Sequence, residues 1–282
     1  MNTVITVYLI VVTTLLGVII GSFLNVIIYR IPAGRTVTKG RSMCMTCGHT
    51  LAAKDLVPIF SWLFLKGKCR YCGAPVASRY CKIESFTGLV FLITAIISKD
   101  YVFPIAFMPD SHAYRFYAIY FLLFLASMAV IIAAMMIFYD TGKCFTGFAI
   151  TAVCLKLVST ALALPFGIIE GYTFSALGED ILLALGKCAL TVGLSGICSL
   201  IVRKEYTKAD LNLDICLSLT PLYGLYFGWG PEVARALMTA AVYAAIMTFL
   251  RAGKLKKYCG IVAVVTYLVY MVIRYIFLYY IL

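Results

Sequence analysis

Long apolar runs alternate along this chain with short polar segments. The first run, Val4–Tyr29, is long enough as a helix, at about 1.5 Å per residue, to cross a hydrocarbon core of roughly 30 Å. Seven more follow at Ile83–Ser98, Tyr114–Tyr139, Phe145–Phe166, Ile181–Val202, Leu213–Trp229, Val233–Leu250 and Cys259–Leu282. The first run lacks a basic segment ahead of it and passes into GSFLNVIIYRIP (Gly21–Pro32) without a small-residue cleavage site, so it reads as a permanent anchor. Gly17, Gly21 and Ser22 give it a face that another helix can approach closely, and Asn25 is a polar group that needs a partner. A packing seam and a functional role both fit these residues.

The polar segments set a direction. Arg30, Arg35, Lys39, Arg41, Lys54, Lys66, Lys68, Arg70, Arg79 and Lys82 crowd together after the first run, which places that segment on the cytoplasmic side. Threading onward puts Lys99–Ala113, Gly167–Asp180 and Gly230–Glu232 outside, and Asp140–Cys144, Arg203–Asp210 and Arg251–Tyr258 inside. The inner segments carry Lys143, then Arg203, Lys204 and Lys208, then Arg251, Lys254, Lys256 and Lys257. The expected fold is an all-α polytopic membrane protein with about eight transmembrane helices and both termini outside. It divides into a first helix over 1–30, a cytosolic module over 31–82 and a transmembrane core over 83–282.

Composition sharpens this picture. With 63% hydrophobic and 13% charged residues and a mean hydropathy of +0.99, the chain is far more apolar than a soluble domain. A net charge of +12 invites a nucleic-acid reading. The basic residues, however, gather between the apolar runs, as topogenic charge does, and nucleic acid is discounted as a partner.

Two C-x-x-C knuckles, Cys44/Cys47 and Cys69/Cys72, stand at zinc-ribbon spacing within CMTCGHTLAAKDLVPIFSWLFLKGKCRYC. Four thiolates so spaced can close a tetrahedral structural site around Zn²⁺, and Gly48 and Gly73 after each knuckle help the backbone turn back on the sulfurs. Two disulfides, or four unrelated thiols, are the alternative. Zinc thiolates imply a reducing compartment, in agreement with the charge argument. Several of the other cysteines, such as Cys154, Cys188 and Cys198, sit inside apolar runs and behave as small hydrophobes. Between the knuckles, Val57, Ile59, Phe60, Trp62, Leu63 and Phe64 are too apolar for a free loop, so they should pack on the metal module or lie at the membrane interface.

The threading brings three carboxylates to the inner side. Asp140 ends the third run, and Asp210 and Asp214 precede or open the sixth. Two facing carboxylates that share a proton can divide acid from base work, which is the requirement of aspartic proteolysis. Asp140 could instead cap the next helix, and Asp210 could balance Arg203 and Lys204. Lys156, Lys187 and Arg274 fall within predicted spans and could snorkel, pair with acids or mark a pathway.

GSFLNVIIYRIP, the double knuckle, KDLVPIFSWLFLKGKCRYCGAPVASRY (Lys54–Tyr80) and Glu84 together resemble the amino-terminal half of the bacterial type IV prepilin peptidases, a leader peptidase and N-methyltransferase family. The resemblance is near-continuous from Gly21 to Glu84. It implies a multi-pass plasma-membrane enzyme with zinc module and active site on the cytosolic side. It further implies two catalytic aspartates at the membrane boundary, which fall on Asp140 and on Asp210 in TKAD, with Asp214 in reserve. Gly147 stands where the family has proline after its first aspartate, Thr207 where it has glycine before the second, and Asn212 where it has lysine. The implied substrates are prepilins or pseudopilins with a short basic leader, cut just after a glycine, for which Glu84, Glu205 or Asp55 would offer local charge complementarity. The implied methyl donor is S-adenosylmethionine. No glycine-rich motif marks its site, and no residues are assigned to it. The resemblance leaves pilus assembly, type II secretion and DNA uptake open. The rival readings are a non-enzymatic transporter or channel with a zinc-ribbon docking module, and a prepilin peptidase without methyltransferase activity.

Overall fold

The computed structural model describes residues 3–99, 112–169, 174–203, 205–218, 243–252 and 255–280. Its regular structure is helical; the only β pairing among the described residues is a pair of isolated bridges. Two compact units divide the chain, Met1–Lys99 and Asp100–Leu282.

In the first unit, α1 (Thr3–Arg30) and α3 (Arg79–Ser98) pack along their lengths, while the segment between them carries the short helix α2 (Phe60–Phe64). The buried residues of α1, Thr13, Gly17, Gly21, Leu24, Asn25 and Ile28, recur at helical spacing on one face. Its opposite face, with Val4, Val7, Val11, Leu15, Ile19 and Phe23, is apolar and exposed. A helix apolar all round suits a lipid environment rather than water.

Glycine sets the separation of α1 and α3. A Cβ on Gly21 would stand 2.8 Å from the Glu84 Cα, one on Gly17 2.6 Å from the Phe91 Cβ, and one on Gly88 2.6 Å from Val18 Cγ2. Glycine on one helix thus admits a larger side chain of the other, Phe91 over Gly17 and Val18 over Gly88, and the helices run antiparallel, because residues 17, 21 and 25 meet 91, 84 and 80 in reverse order. Asn25 finds the partner its sequence context demands, donating from Nδ2 to the Tyr80 carbonyl at 3.2 Å. The antiparallel pairing brings Arg30 and Arg79 to one end, where the 31–78 segment is suspended.

The second unit opens with α4 (His112–Thr141), α5 (Thr146–Ile169) and α6 (Phe174–Arg203), then α7 (Lys208–Ser218), a helix over 243–252 labelled α8, and α9 (Cys259–Tyr280). The carboxyl-terminal turns of α4 form the core, with Ile131, Ile132, Ala133, Ala134, Met135, Ile137 and Phe138 all buried. Gly260 lets α9 come close to it, since a Cβ there would stand 2.7 Å from Met135 Cγ. Gly142, at φ +66° with its N–H bonded to the Phe138 carbonyl at 2.8 Å, ends α4 two residues after Asp140.

Three helical segments among the described residues are long and apolar enough to cross a membrane: Thr3–Arg30, Arg79–Ser98 and Phe121–Thr141. Shorter apolar stretches lie in α5 (Thr146–Ser159) and α6 (Cys188–Val202). The expected spans Leu213–Trp229 and Val233–Leu250 fall largely outside the described residues, as do the side chains of Lys187 and Arg274. One boundary is corrected. The sequence pattern makes Gly167–Asp180 an outer loop, yet α6 begins at Phe174, so Gly178, Glu179 and Asp180 lie in its first two turns. Hydropathy stops at the acids, whereas the helix N-terminus accommodates negative charge through its dipole.

The atom nearest a Cβ on Gly21 is backbone, so no side-chain rotation relieves a clash there. We expect Gly21→Ala to lower stability by about 1–3 kcal/mol through helix displacement, while Gly147→Ala, which meets nothing within 4 Å, does not. Thermal unfolding of both variants in detergent measures the difference.

Candidate functional site

The 31–78 segment is built around two copies of one local structure. In the first, Cys44 N donates to the His49 carbonyl, Gly48 N to the Cys44 carbonyl and Leu51 N to the Ser42 carbonyl, each at 2.9 Å. In the second, Cys69 N, Gly73 N and Val76 N donate to the Ala74, Cys69 and Gly67 carbonyls at 2.8, 2.9 and 2.7 Å. Gly48 and Gly73 both sit at φ +70°, the left-handed region where glycine carries no Cβ penalty. Each knuckle thus wraps its own backbone around its two sulfurs.

The knuckles face each other. One ligand atom from each of Cys44, Cys47, Cys69 and Cys72 lies within 4.8 Å of all the others, and the Cys44 and Cys72 sulfurs are 3.8 Å apart. A tetrahedron with metal–sulfur distances of about 2.3 Å has edges of about 3.8 Å, so the donor set fits a four-cysteine metal site. None of the eleven cysteines is disulfide-bonded, in keeping with a four-thiol site rather than two disulfides. The Cys44 thiol is held down to about 6, chiefly by the backbone N–H groups of Cys47 and Thr46. At Cys72 the Ala74 N–H pulls the same way, but desolvation and hydrogen bonds with the other three thiols outweigh it and push the group up to about 11. Four sulfurs this close cannot all ionise beside one another, and a cation among them resolves the conflict.

The segment between the knuckles is tied down at both ends. Asp55, 3% exposed at its side chain, accepts from Arg70 Nε at 2.6 Å, Tyr71 Oη at 2.8 Å and Ala52 N at 3.1 Å. Arg70 beside it holds this carboxyl below the usual carboxylate range. Glu84 accepts from the Ile59 N–H at 2.7 Å and so holds Ile59 at φ +61°, a conformation β-branched residues resist. Asp55 and Glu84 are therefore committed to internal contacts rather than turned toward a ligand. The apolar strip itself divides: Trp62 donates to the Val76 carbonyl at 3.0 Å and packs over Gly67, while Val57, Phe60, Leu63 and Phe64 remain exposed.

In the second unit the three carboxylates have unlike surroundings. Asp140 lies in the last turn of α4 and is exposed. Asp210 and Asp214, one turn apart on α7, are both fully buried. Thr207 and Asp210 form a reciprocal cap of α7: Asp210 N donates to Thr207 Oγ1 at 3.3 Å, and Thr207 N donates to Asp210 Oδ2 at 3.1 Å. Asn212 donates from Nδ2 to the Cys144 carbonyl at 2.8 Å, which pins the α4–α5 turn to α7. Lys256 reaches Asp210 Oδ2 at 3.4 Å, and its neighbour Tyr258 packs against Tyr139 with ring centroids 5.3 Å apart. The end of α4 bearing Asp140 and the start of α7 bearing Asp210 therefore lie at the same end of the unit.

Sequence reasoning misses the centre of this network. Arg251, wholly buried, forks onto Asp214 with Nη2–Oδ1 at 2.6 Å and Nη1–Oδ2 at 3.1 Å, and its Nε stands 3.5 Å from Asp210 Oδ1. Ser195 and Tyr206 each donate to Asp214 at 2.8 Å, and Tyr243 donates at 2.7 Å. In the sequence Arg251 reads only as topogenic charge, since it closes an apolar run; no local pattern marks a buried arginine.

Comparison with known proteins bears on the first unit. The family model described as Bacterial Peptidase A24 N-terminal domain matches residues 15–98. Residues 15–98 are thus similar to that domain. Among curated relatives, the prepilin leader peptidase/N-methyltransferase of Myxococcus xanthus (strain DK1622) is 38% identical over 109 residues, covering 34% of this chain and 32% of the relative. The type 4 prepilin-like proteins leader peptide-processing enzyme of Escherichia coli O78:H11 is 34% identical over 116 residues, 35% of this chain and 43% of the relative. The prepilin leader peptidase/N-methyltransferase of Dichelobacter nodosus is 35% identical over 113 residues, 30% and 40% respectively. The matched part thus spans about a third to two fifths of the length of these relatives. No solved structure matches the chain significantly. The A24 amino-terminal region contains the antiparallel α1–α3 pair and the whole four-cysteine cluster.

Removing Asp214 strands a buried guanidinium. Asp214→Ala is expected to cost about 3–5 kcal/mol, as for other broken buried ion pairs, read as a fall in the unfolding midpoint in detergent.

Proposed function

We propose that this chain is a prepilin-processing enzyme of the bacterial plasma membrane. It acts as an aspartic endopeptidase, removing the short basic leader of a prepilin or pseudopilin at the cytosolic membrane face. It then methylates the new amino terminus with S-adenosylmethionine as donor. The observation that carries this reading is the match of residues 15–98 to that family model, together with curated relatives named for leader peptidase and N-methyltransferase activity.

Asp140 and Asp210 are the proposed catalytic pair. The ties from Asn212 to the α4–α5 turn and from Tyr139 to Tyr258 support it, because they hold both residues at one end of the unit. The choice of Asp210 over Asp214 rests on valence. The Asp214 oxygens accept from Ser195, Tyr206 and Tyr243 and twice from Arg251, which fills the roughly four lone-pair sites of a carboxylate. Asp210 Oδ1 is buried without a hydrogen bond among the described residues. In the proposed reaction one carboxylate takes a proton from water as the water oxygen attacks the scissile carbonyl carbon, and the other gives its proton to the carbonyl oxygen. Collapse of the tetrahedral adduct breaks the C–N bond, and a proton passes to the departing nitrogen.

Cys44, Cys47, Cys69 and Cys72 would hold Zn²⁺ as a structural ion that joins the two knuckles. We expect about one zinc per chain in purified protein. Cys69→Ser should abolish metal retention, with the helices still inserted, as measured by elemental analysis and membrane fractionation.

The mechanism is tested by prepilin cleavage in membranes carrying each variant. Asp140→Asn and Asp210→Asn should each lower the rate per folded molecule by about 10²-fold or more, because an amide neither takes a proton from water nor gives one up. Asp214→Asn should lose far less per folded molecule. Undiminished cleavage by Asp140→Asn would exclude the aspartic mechanism.

A further inference from the structure

Arg251 serves Asp210 and Asp214 unequally. Its fork belongs to Asp214, which leaves only the edge nitrogen Nε for Asp210, at 3.5 Å from Oδ1. Nε and Oδ1 are both buried, and neither makes a hydrogen bond among the described residues. Native interiors rarely leave such valences unused, and where they do the groups commonly serve a reacting molecule or a water. The other oxygen of Asp210 is occupied by both the backbone N–H and the hydroxyl of Thr207, at 3.1 and 2.6 Å, and by Lys256 at 3.4 Å. One side of the carboxylate is thus fastened, and the other is oriented but open.

Charge follows the same division. A carboxylate buried alone would take up a proton. Asp210 has two cations in reach, Arg251 from α8 and Lys256 from the turn before α9, and a guanidinium does not give up its own proton. The other titratable groups facing this carboxylate are Asp214 on the same helix, Tyr206 ahead of it and Cys259 at the start of α9. Asp140, in contrast, is exposed on α4. The two members of the proposed pair are therefore not equivalent.

We propose that Arg251 is a positioning residue of the peptidase: clamped by Asp214, it keeps Asp210 ionised and presents Oδ1 to the attacking water, so that Asp210 is the base and Asp140 carries the shared proton. This assignment rests on the aspartic-peptidase reading above. In the first step the water loses a proton to Asp210 Oδ1 and its oxygen bonds to the carbonyl carbon, while the Asp140 proton moves to the carbonyl oxygen. Arg251 exchanges no proton and touches no substrate. Asp214 has a definite part: by holding the fork, it prevents Arg251 from closing on Oδ1 and filling the position the water needs.

The test is the pH dependence of prepilin cleavage by the full chain in lipid vesicles, for wild type, Arg251→Gln and Arg251→Lys, with rates normalised to folded protein. Loss of the cation makes Asp210 easier to protonate. The acid limb of the Arg251→Gln profile is therefore expected to move to higher pH by on the order of one unit, a rate loss of about tenfold on that limb, with KM within about threefold of wild type because Arg251 lies away from the substrate. Arg251→Lys keeps the charge but loses the fork, so its limb stays in place while kcat falls. A merely structural arginine would change the amount of folded enzyme and move neither limb nor normalised kcat, and that result overturns the assignment. If Arg251→Gln does not fold, Arg251→Lys decides by itself: a lowered kcat with unchanged KM supports the role, and a wild-type kcat overturns it. Asp140→Asn run in parallel separates the two levels. Full cleavage there removes the peptidase mechanism itself, whereas loss of cleavage there with an unmoved limb in Arg251→Gln removes only the role of Arg251.

Discussion

The ion pair between Arg251 and Asp214 is the contact on which the second unit depends. Around it meet Ser195 and Ser199 of α6, Tyr206 ahead of α7, Asp214 on α7 and Tyr243 on α8, all bonded to one or both of the two charges. Three segments distant in sequence, α6, the stretch from Tyr206 to Asp214, and α8, are thereby fastened at one point. Isolated charges in such a setting would be costly by several kcal/mol each, and mutual neutralisation together with a full set of hydroxyl donors makes the arrangement tolerable. The Asp210–Lys256 contact adds a second opposite pair, so two carboxylates and two cations cancel within a single cluster.

The first unit is held by the opposite strategy. Between α1 and α3 no charge pair is needed, because Gly17, Gly21 and Gly88 allow backbone and side chains to approach within distances a Cβ would forbid. Where the helices leave that contact, polar groups take over. Arg30 donates to the carbonyls of Thr36, Val37, Lys39 and Gly40 at 2.7–3.2 Å and closes the turn after α1. Glu84, one helical turn and a half into α3, reaches Ile59 in the segment between the knuckles. The cysteine cluster is thus joined to the helix pair through named contacts, and its two knuckles are near-copies in backbone hydrogen bonding.

Much of this is legible in the residues alone. The double C-x-x-C spacing with a glycine after each knuckle predicts the four-cysteine cluster because its geometry is local: within ten residues each knuckle forms its own hydrogen bonds, and only the meeting of the two is long-range. The apolar runs predict helices because backbone groups in an apolar stretch must bond within the segment, and α1, α3, α4, α5 and α9 start and end within a few residues of the runs that announce them. The small face of α1 is equally local, and Gly17 and Gly21 do meet a neighbouring helix.

Tertiary structure alone decided how the charges are shared. Along the chain Arg251, Lys256, Asp210 and Asp214 are ordinary boundary charges, and nothing within ten residues of Arg251 distinguishes it from Lys254 or Lys257. Whether an arginine at the end of an apolar run faces solvent or the interior depends on which helices pack beside it, a property of three segments together and of none singly. The same holds for the difference between Asp210 and Asp214. They stand one turn apart with similar neighbours in sequence, yet one carboxylate is saturated by five donors and the other keeps an oxygen with no hydrogen bond among the described residues. Hydropathy and spacing describe where a chain enters and leaves an apolar environment. Which buried charge meets which partner is a matter of distances across the fold, and those arise only once the helices are assembled.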